Sequence, residues 1–259
     1  MSRPVAIVQA RMGSTRLPGK VLMPLAGRPA LGHILDRLAR CRSLAGIVVA
    51  TTAGPADDAV ERFCAENRVS CFRGSERDVL DRYYRAAVAH RADPVARVTG
   101  DCPVIDPAVV DEVVEGFLAG GFDVYGLAGE FPDGLDCTVY SLAALTAAWK
   151  EAALPSEREH VGPYLINRPE RFRIGGLEKF SGLAHHRWTL DEPADYALLS
   201  AVYDELYAAG EIFSTADIVA LLSRRPEIAA LNAHIVPNEG YLKSLAEDAR
   251  GLASPEEGR

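Results

Sequence analysis

The chain has 259 residues, 48% of them hydrophobic and 25% charged, which suits one large globular domain and excludes disordered and collagen-like classes. Its net charge of −8 lacks the basic footprint that nucleic acid or an anionic membrane surface calls for, so a small partner is expected. The five cysteines, Cys41, Cys64, Cys71, Cys102 and Cys137, form no C-x-x-C pair, MSRPVAIVQA is no signal peptide, and no apolar run could cross a bilayer; the expectation is a soluble, cytoplasmic protein with reduced thiols used for packing.

Val5 to Val8 reads as a short buried strand, and it feeds directly into QARMGSTRLPGKVL, Gln9 to Leu22. There Gly13 and Gly19 permit tight turns, Ser14 and Thr15 add hydroxyls, and Arg11, Arg16 and Lys20 add positive charge. That is the composition of a polyphosphate cradle, although an ordinary solvated loop uses the same residue types. It is no Walker-type loop. The interval from Gly13 to Gly19-Lys20 is one residue too long, and Val21 stands where Ser or Thr is required.

Pro29 opens a helical pattern with Leu31, Ile34, Leu35 and Leu38 on one face, and Gly46 to Thr52 reads as a strand. A second helix carries Val60, Phe63 and Cys64, a short strand spans Val69 to Phe72, and Ser75 with Asp78 resembles a capping box for a third helix with Tyr83 and Ala87 inward. Pro94 to Thr99 is the next strand, ending at Gly100-Asp101, and Asp106-Pro107 starts a helix. Such alternation implies an α/β, three-layer sandwich with a mostly parallel sheet, whose ligands collect at the carboxyl ends of the strands. The Gln9–Lys20 loop, Ala50-Thr51-Thr52 and Gly100-Asp101 would meet there.

From about 122 to 175 the pattern loosens into an antiparallel extension of the same domain: strands at Phe122 to Leu127 and Asp136 to Tyr140, then a helix from Leu142 to Ala153. Arg171 to Ile174 and His185 to Leu190 are expected strands, Pro193 opens a long helix, and Ser214 caps another. Residues 1–249 are read as one domain and 250–259 as a flexible tail.

Asp101 follows a strand end, where a carboxylate would project toward the phosphate loop; a turn before Pro103 explains it equally well. Asp191 precedes a helix and, taken singly, reads as its N-cap. If both carboxylates do face polyphosphate, a cation must lie between them, and Mg²⁺ suits that task. There is no H-x-x-x-H or Cys/His cluster to suggest zinc.

Four runs, QARMGSTRLPGKVL, VTGDCPVIDP, FPDGLDCTVYS and RWTLDEPADY, resemble in order and spacing the SpsF-type cytidylyltransferases, relatives of the synthetases that make CMP-activated 3-deoxy-manno-octulosonate and CMP-sialic acid. The resemblance covers roughly residues 4–205 and implies a Rossmann-like nucleotidyltransferase fold related to the GT-A glycosyltransferases. It implies that Arg11, Ser14, Arg16 and Lys20 hold the triphosphate with the Gly13 and Ser14 backbone, that Asp101 and Asp191 ligate Mg²⁺, and that Ala10, Thr52, Gly100 and, by a looser match, Arg77 line the nucleotide. Val21 departs from the sialate-type loop, where Asn usually follows the lysine, and turns the expectation away from sialic acid. The implied reaction is attack of a sugar hydroxyl on the α-phosphorus of CTP with loss of pyrophosphate, in a homodimer.

For the acceptor, Asp133, Asp136, Glu159 and His160 are polar groups of the less regular half, and alternation would put His185 and Arg187 on one face, where Arg187 could meet an acidic sugar's carboxylate. Each could equally be a hydrogen-bonded surface residue. Two rivals stay open: a GT-A glycosyltransferase, for which Asp101-Cys102-Pro103 lacks the second aspartate, and a non-catalytic nucleotide-binding module.

Overall fold

The run VAIVQ forms β1 (Val5–Gln9) with its three middle residues buried, and it becomes the inner strand around which the sheet is laid. The structure, a computed structural model, describes residues 2–208, 211–235 and 239–253. After β1 come a small hairpin of β2 (Pro24–Leu25) and β3 (Arg28–Pro29), helix α1 (Ala30–Leu38), β4 (Gly46–Thr52), α2 (Asp58–Glu66), β5 (Ser70–Gly74), α3 (Val79–Ala89), β6 (Val95–Thr99) and α4 (Pro107–Gly120). Then follow β7 (Val124–Ala128), β8 (Cys137–Tyr140), α5 (Leu142–Glu151), α6 (Pro155–His160), α7 (Pro163–Ile166) and β9 (Ile174–Glu178). The described chain closes with α8 (Pro193–Leu206), α9 (Thr215–Arg224), α10 (Pro226–Ala229) and α11 (Glu239–Ala253).

Seven strands lie in the order β5-β4-β1-β6-β8-β7-β9. β5, β4, β1 and β6 are mutually parallel; β8 is antiparallel to both β6 and β7, and β7 is parallel to β9. The extension therefore reverses a single strand, β8. Alternation along β1 sends Ala6 and Val8 into a core with Leu31 and Ile34 of α1 and Val110 and Val113 of α4, while Ile7 packs on the other face with Leu80 and Tyr83 of α3 and Leu145 of α5. A third core joins α8 and α9 to Leu25, Trp188 and Leu190. That third core fixes the segment before α8 against the sheet's carboxyl edge.

Four expectations need correction. The cap of α3 is Asp78, whose side chain accepts from Asp81 N at 2.8 Å, while Ser75 Oγ accepts from Asp78 N at 3.0 Å one turn earlier. The strand expected at Arg171–Ile174 runs instead over Ile174–Glu178, because Arg171 pairs with Glu151 at 2.8 Å and turns toward α5. His185–Leu190 is no strand: only Asp133 and Arg187 bridge, because the backbone leaves one neighbour for the next within a few residues. Trp188 N donates to Asp133 O at 2.7 Å, and Leu190 N to Asp101 O, also at 2.7 Å. The segment expected as a tail from residue 250 begins inside α11, and 254–259 lie outside the described residues.

Candidate active site

The loop after β1 is held from both ends. Ala10 N donates to Ala50 O at 3.2 Å, and Met12 N donates to Asp57 Oδ1 at 2.7 Å. Met12 O then accepts from Ser14 N and Gly19 N, each at 3.0 Å, which folds the loop on itself and returns Lys20 toward the sheet. Gly19 has φ 73°, a left-handed conformation that glycine adopts without strain. At the end of β6, Gly100 N donates to Gln9 O at 2.7 Å, and a Cβ on Gly100 would stand 2.6 Å from that same oxygen, so the two strand ends touch only because position 100 is glycine.

Lys20 is the meeting point. Its Nζ lies 2.8 Å from Asp101 Oδ2 and 2.5 Å from Asp191 Oδ1, so two carboxylates separated by 90 positions of sequence reach one nitrogen and their oxygens are no farther apart than the sum of those distances. Asp191 comes there because Asp101 O accepts from Leu190 N and Thr189 Oγ1. Arg16 Nη2 is 3.0 Å from Asp191 Oδ2, which latches the loop to the same segment. Burial acts to lower the Lys20 pKa, but the attraction of Asp101 and Asp191 outweighs it and the pKa is raised. Burial would raise Asp101, yet the Lys20 charge and its hydrogen bond bring that carboxyl down to about 2. Both groups are thus ionised across the working pH range.

These side chains open into a cleft of about 940 Å³. Of the residues expected from sequence, Ala10, Arg11, Ser14, Arg16, Lys20, Gly100, Asp101 and Asp191 line it, as do Asp133, Asp136, Glu159, His160 and Arg187. Gly13 does not line it, and its neighbour Ser14 spends its N–H on Met12 O within the loop. Thr52 is a correction: it is buried, its N–H and hydroxyl both donate to Asp57 Oδ2, and its work is to hold the residue that holds the loop. Arg77 is another, exposed at the surface and away from the cleft, because α3 starts two residues later and carries Arg82 inward instead.

Arg187 is the third correction. It is 7% exposed, and its guanidinium holds Asp195 through both Nε and Nη2, Asp133 through Nη1 at 2.9 Å, and Asp191 at 3.2 Å. So committed, it positions other groups. His160 is likewise engaged: its Nε2 lies 3.0 Å from Ser244 Oγ, which donates to Glu159 Oε2 at 3.1 Å, and this chain ties α6 to α11 along the cleft wall.

Arg82 and Arg97 also line the cleft, and neither is evident from motifs. The signal was there in the period. Arg97 interrupts the apolar strand VARVT, and Arg82 sits on the buried stripe of α3 with Val79, Tyr83 and Ala86. The residues of α11 at the cleft carried no such signal.

Asp133 is pushed up to about 7, first by burial and then by repulsion from Asp136; Arg187 opposes this weakly because three carboxylates share its charge. A raised folded-state pKa favours the protonated fold, so this contribution is intact below about pH 4 and is lost as pH rises through about 7. The melting temperature should accordingly fall between about pH 5 and pH 8, and Asp133→Asn should flatten the fall. An unchanged slope in the variant would show that Asp133 titrates like an ordinary carboxylate.

The donor set fits Mg²⁺. Asp101 and Asp191 present oxygens to one shared point, now taken by an ammonium, and among the described residues no cluster of three or more His, Cys, Asp or Glu could form an all-protein cage. Two carboxylates, with water and phosphate oxygens completing the shell, are what a small hard cation uses beside a nucleotide.

A family model described as cytidylyltransferase matches residues 5–205. The chain is 33% identical to the spore coat polysaccharide biosynthesis protein SpsF of Bacillus subtilis, over 86% of this chain and 95% of that one. It is 31% identical to a 3-deoxy-manno-octulosonate cytidylyltransferase of Anaeromyxobacter dehalogenans, over 72% and 80% of the two chains. Among solved structures, a cytidylyltransferase from Leptospira borgpetersenii superposes with a TM-score of 0.84 at 33% identity, covering 88% of this chain and 97% of that one.

Proposed function

Because the chain belongs to the cytidylyltransferase family and is a CTP-dependent nucleotidyltransferase, we propose that it transfers CMP to the hydroxyl of an acidic, ulosonic-type sugar for polysaccharide or surface-glycan assembly. The observation that carries this reading is the convergence of Asp101 and Asp191 upon Lys20 beside a basic loop, all on one cleft.

In this scheme the sugar oxygen forms a bond to the α-phosphorus, and the bond from that phosphorus to the bridging oxygen breaks in line. Pyrophosphate leaves with the electron pair. Lys20 and Arg16, swung from carboxylates to phosphate, stabilise the charge that grows on the leaving group, and Arg11 adds to the field along the cleft. Mg²⁺ bound by Asp101 and Asp191 would supply Lewis-acid polarisation of the α-phosphate and lower the pKa of the attacking hydroxyl. The hydroxyl proton has a local acceptor in ionised Asp133, whose proton affinity lies near neutrality. No side-chain nucleophile is needed.

No helix among the described residues is long and apolar enough to cross a membrane, which suits the cytoplasmic location we propose. We also propose a homodimer formed through the extension. β9 supports this, since among the described residues no strand pairs with its outer edge.

Mass spectrometry of products from CTP and a panel of ulosonic acids, uronic acids and aminosugars tests the reaction. We expect a CMP-sugar acid and an equal amount of pyrophosphate, both abolished by a chelator and restored by Mg²⁺. Conversion of neutral sugars alone would overturn the acidic acceptor, and full turnover in the chelator would overturn the metal.

A further inference from the structure

Arg97 is a charge placed where charge is expensive. It stands in the middle of β6, between Ile7 of β1 and Thr138 of β8, on the central strand of a seven-stranded sheet. Its Nε is buried and makes no hydrogen bond, and the hydrogen bond from its Nη2 to Gln9 Oε1 is long, at 3.4 Å. Among the described residues no carboxylate lies within ion-pairing distance of it, in contrast to Arg187 with three. The Tyr83 ring, with its centroid 5.8 Å from the guanidinium carbon, gives only a weak cation–π contact. An ionised guanidinium desolvated to this degree is costly to the fold unless a partner meets it, and arginine is the cation suited to a planar, two-oxygen anion.

We propose that Arg97 is the carboxylate-binding residue for the acceptor sugar. This assignment rests on the acidic-acceptor reading above and deepens it, moving the role from Arg187 to a guanidinium still able to perform it. Position favours the acceptor over the nucleotide. Arg97 lies on the cleft wall at the boundary between the β5-β4-β1 half, which carries the phosphate loop, and the β8-β7-β9 half. Among carboxylates, Asp136 and Asp101 are the ones whose charge it feels most, so it sits beside the reacting end. Cytosine is uncharged at neutral pH and offers a guanidinium no counter-charge, and the triphosphate has its own cations in Arg11, Arg16 and Lys20. An ulosonic sugar, by contrast, bears its carboxylate and its anomeric hydroxyl on one carbon. A carboxylate gripped by Arg97 therefore holds that hydroxyl close to Asp101, where the α-phosphorus must lie.

The test uses the intact chain and probes that do not require the natural acceptor: pyruvate, which carries the 2-oxo-carboxylate of such a sugar, its neutral analogue pyruvamide, and CTP. Arginine Nε–H groups are followed by ¹⁵N NMR, with the Arg97 signal assigned by its loss in Arg97→Lys. Pyruvate should shift that signal and pyruvamide should not. Pyruvate affinity should fall on the order of tenfold or more in Arg97→Met and less in Arg97→Lys, with CTP affinity within about twofold of wild type in both. Equal pyruvate binding in wild type and Arg97→Met overturns the assignment, as does a tenfold loss of CTP affinity, which would give the guanidinium to the nucleotide. If Arg97→Met does not fold, the wild-type comparison decides alone: a shift with pyruvamide as large as with pyruvate overturns it. Failure of the acidic-acceptor reading has a different signature, turnover of neutral sugars and none of sugar acids, read in the product assay.

Discussion

Replacing Asp101 with asparagine is expected to lower turnover at least about a hundredfold, with Lys20→Ala falling as far. Asparagine keeps the shape of aspartate and can still accept a hydrogen bond from Lys20, so the fold of the turn survives; what disappears is a full negative charge. That charge is secure in the native protein, since Lys20 holds the carboxyl at about 2 against the opposing effect of burial. The loss should appear in kcat for pyrophosphate release more than in CTP binding, because Arg16 and Arg11 stay on the cleft wall where the proposed triphosphate would lie. Single electrostatic contributions of this type are worth about 3–4 kcal/mol elsewhere, which corresponds to a few hundredfold. Near-normal pyrophosphate release by either variant, with an acceptor identified in the product screen, would remove that residue from the proposed role.

Much of this site was legible in the sequence because its parts are local. A strand followed by a glycine-rich basic loop, and a strand ending in Gly100-Asp101, each announce themselves within a dozen residues, and alternation of strand and helix brings such ends to one edge. The corrections at Thr52, Arg77 and Arg187 come from side-chain contacts and a helix start that strand alternation alone does not disclose. Of the two readings open for Arg187, an acceptor contact or a hydrogen-bonded residue, strand alternation could not choose, because one of its partners, Asp133, lies 54 positions away and the other two, Asp191 and Asp195, lie beyond the end of the expected strand. Thr52 ends its strand near the cleft but is turned inward by Asp57, and Arg77 yielded to Arg82 once the start of α3 moved. His185–Leu190 failed as a strand for a related reason: its alternation is real, but Asp133 and Asp101 take its hydrogen bonds one at a time, with no continuous neighbour to form a ladder. The opposite error, missing Arg97, arose from reading strands for their apolar content and passing over the one residue that broke it.

Asp195→Ala should destabilise the protein by about 3–5 kcal/mol, the largest effect on folding expected from any single side chain of the site. Asp195 is fully buried and every lone pair is engaged. It accepts from Arg187 Nε at 3.0 Å and Nη2 at 3.1 Å, from Asn232 Nδ2 at 2.8 Å, and from the backbone N–H of Asp191 at 3.1 Å and of Glu192 at 3.0 Å. Alanine would strand a buried guanidinium and two N–H groups at the start of α8, each a penalty separate from the lost attraction. Arg187 would then be free to pull harder on Asp191, which must reach Lys20 for the site to form, so activity should fall even where the variant is folded. Asn232→Ala makes a useful control, since it removes one donor and should cost only about 1–2 kcal/mol. Urea unfolding at neutral pH, with pyrophosphate release measured well below the transition, separates the two effects. An unfolding free energy within about 1 kcal/mol of wild type would mean that Arg187 finds sufficient support in Asp133 and Asp191 alone, and that the buried network does not set the position of Asp191.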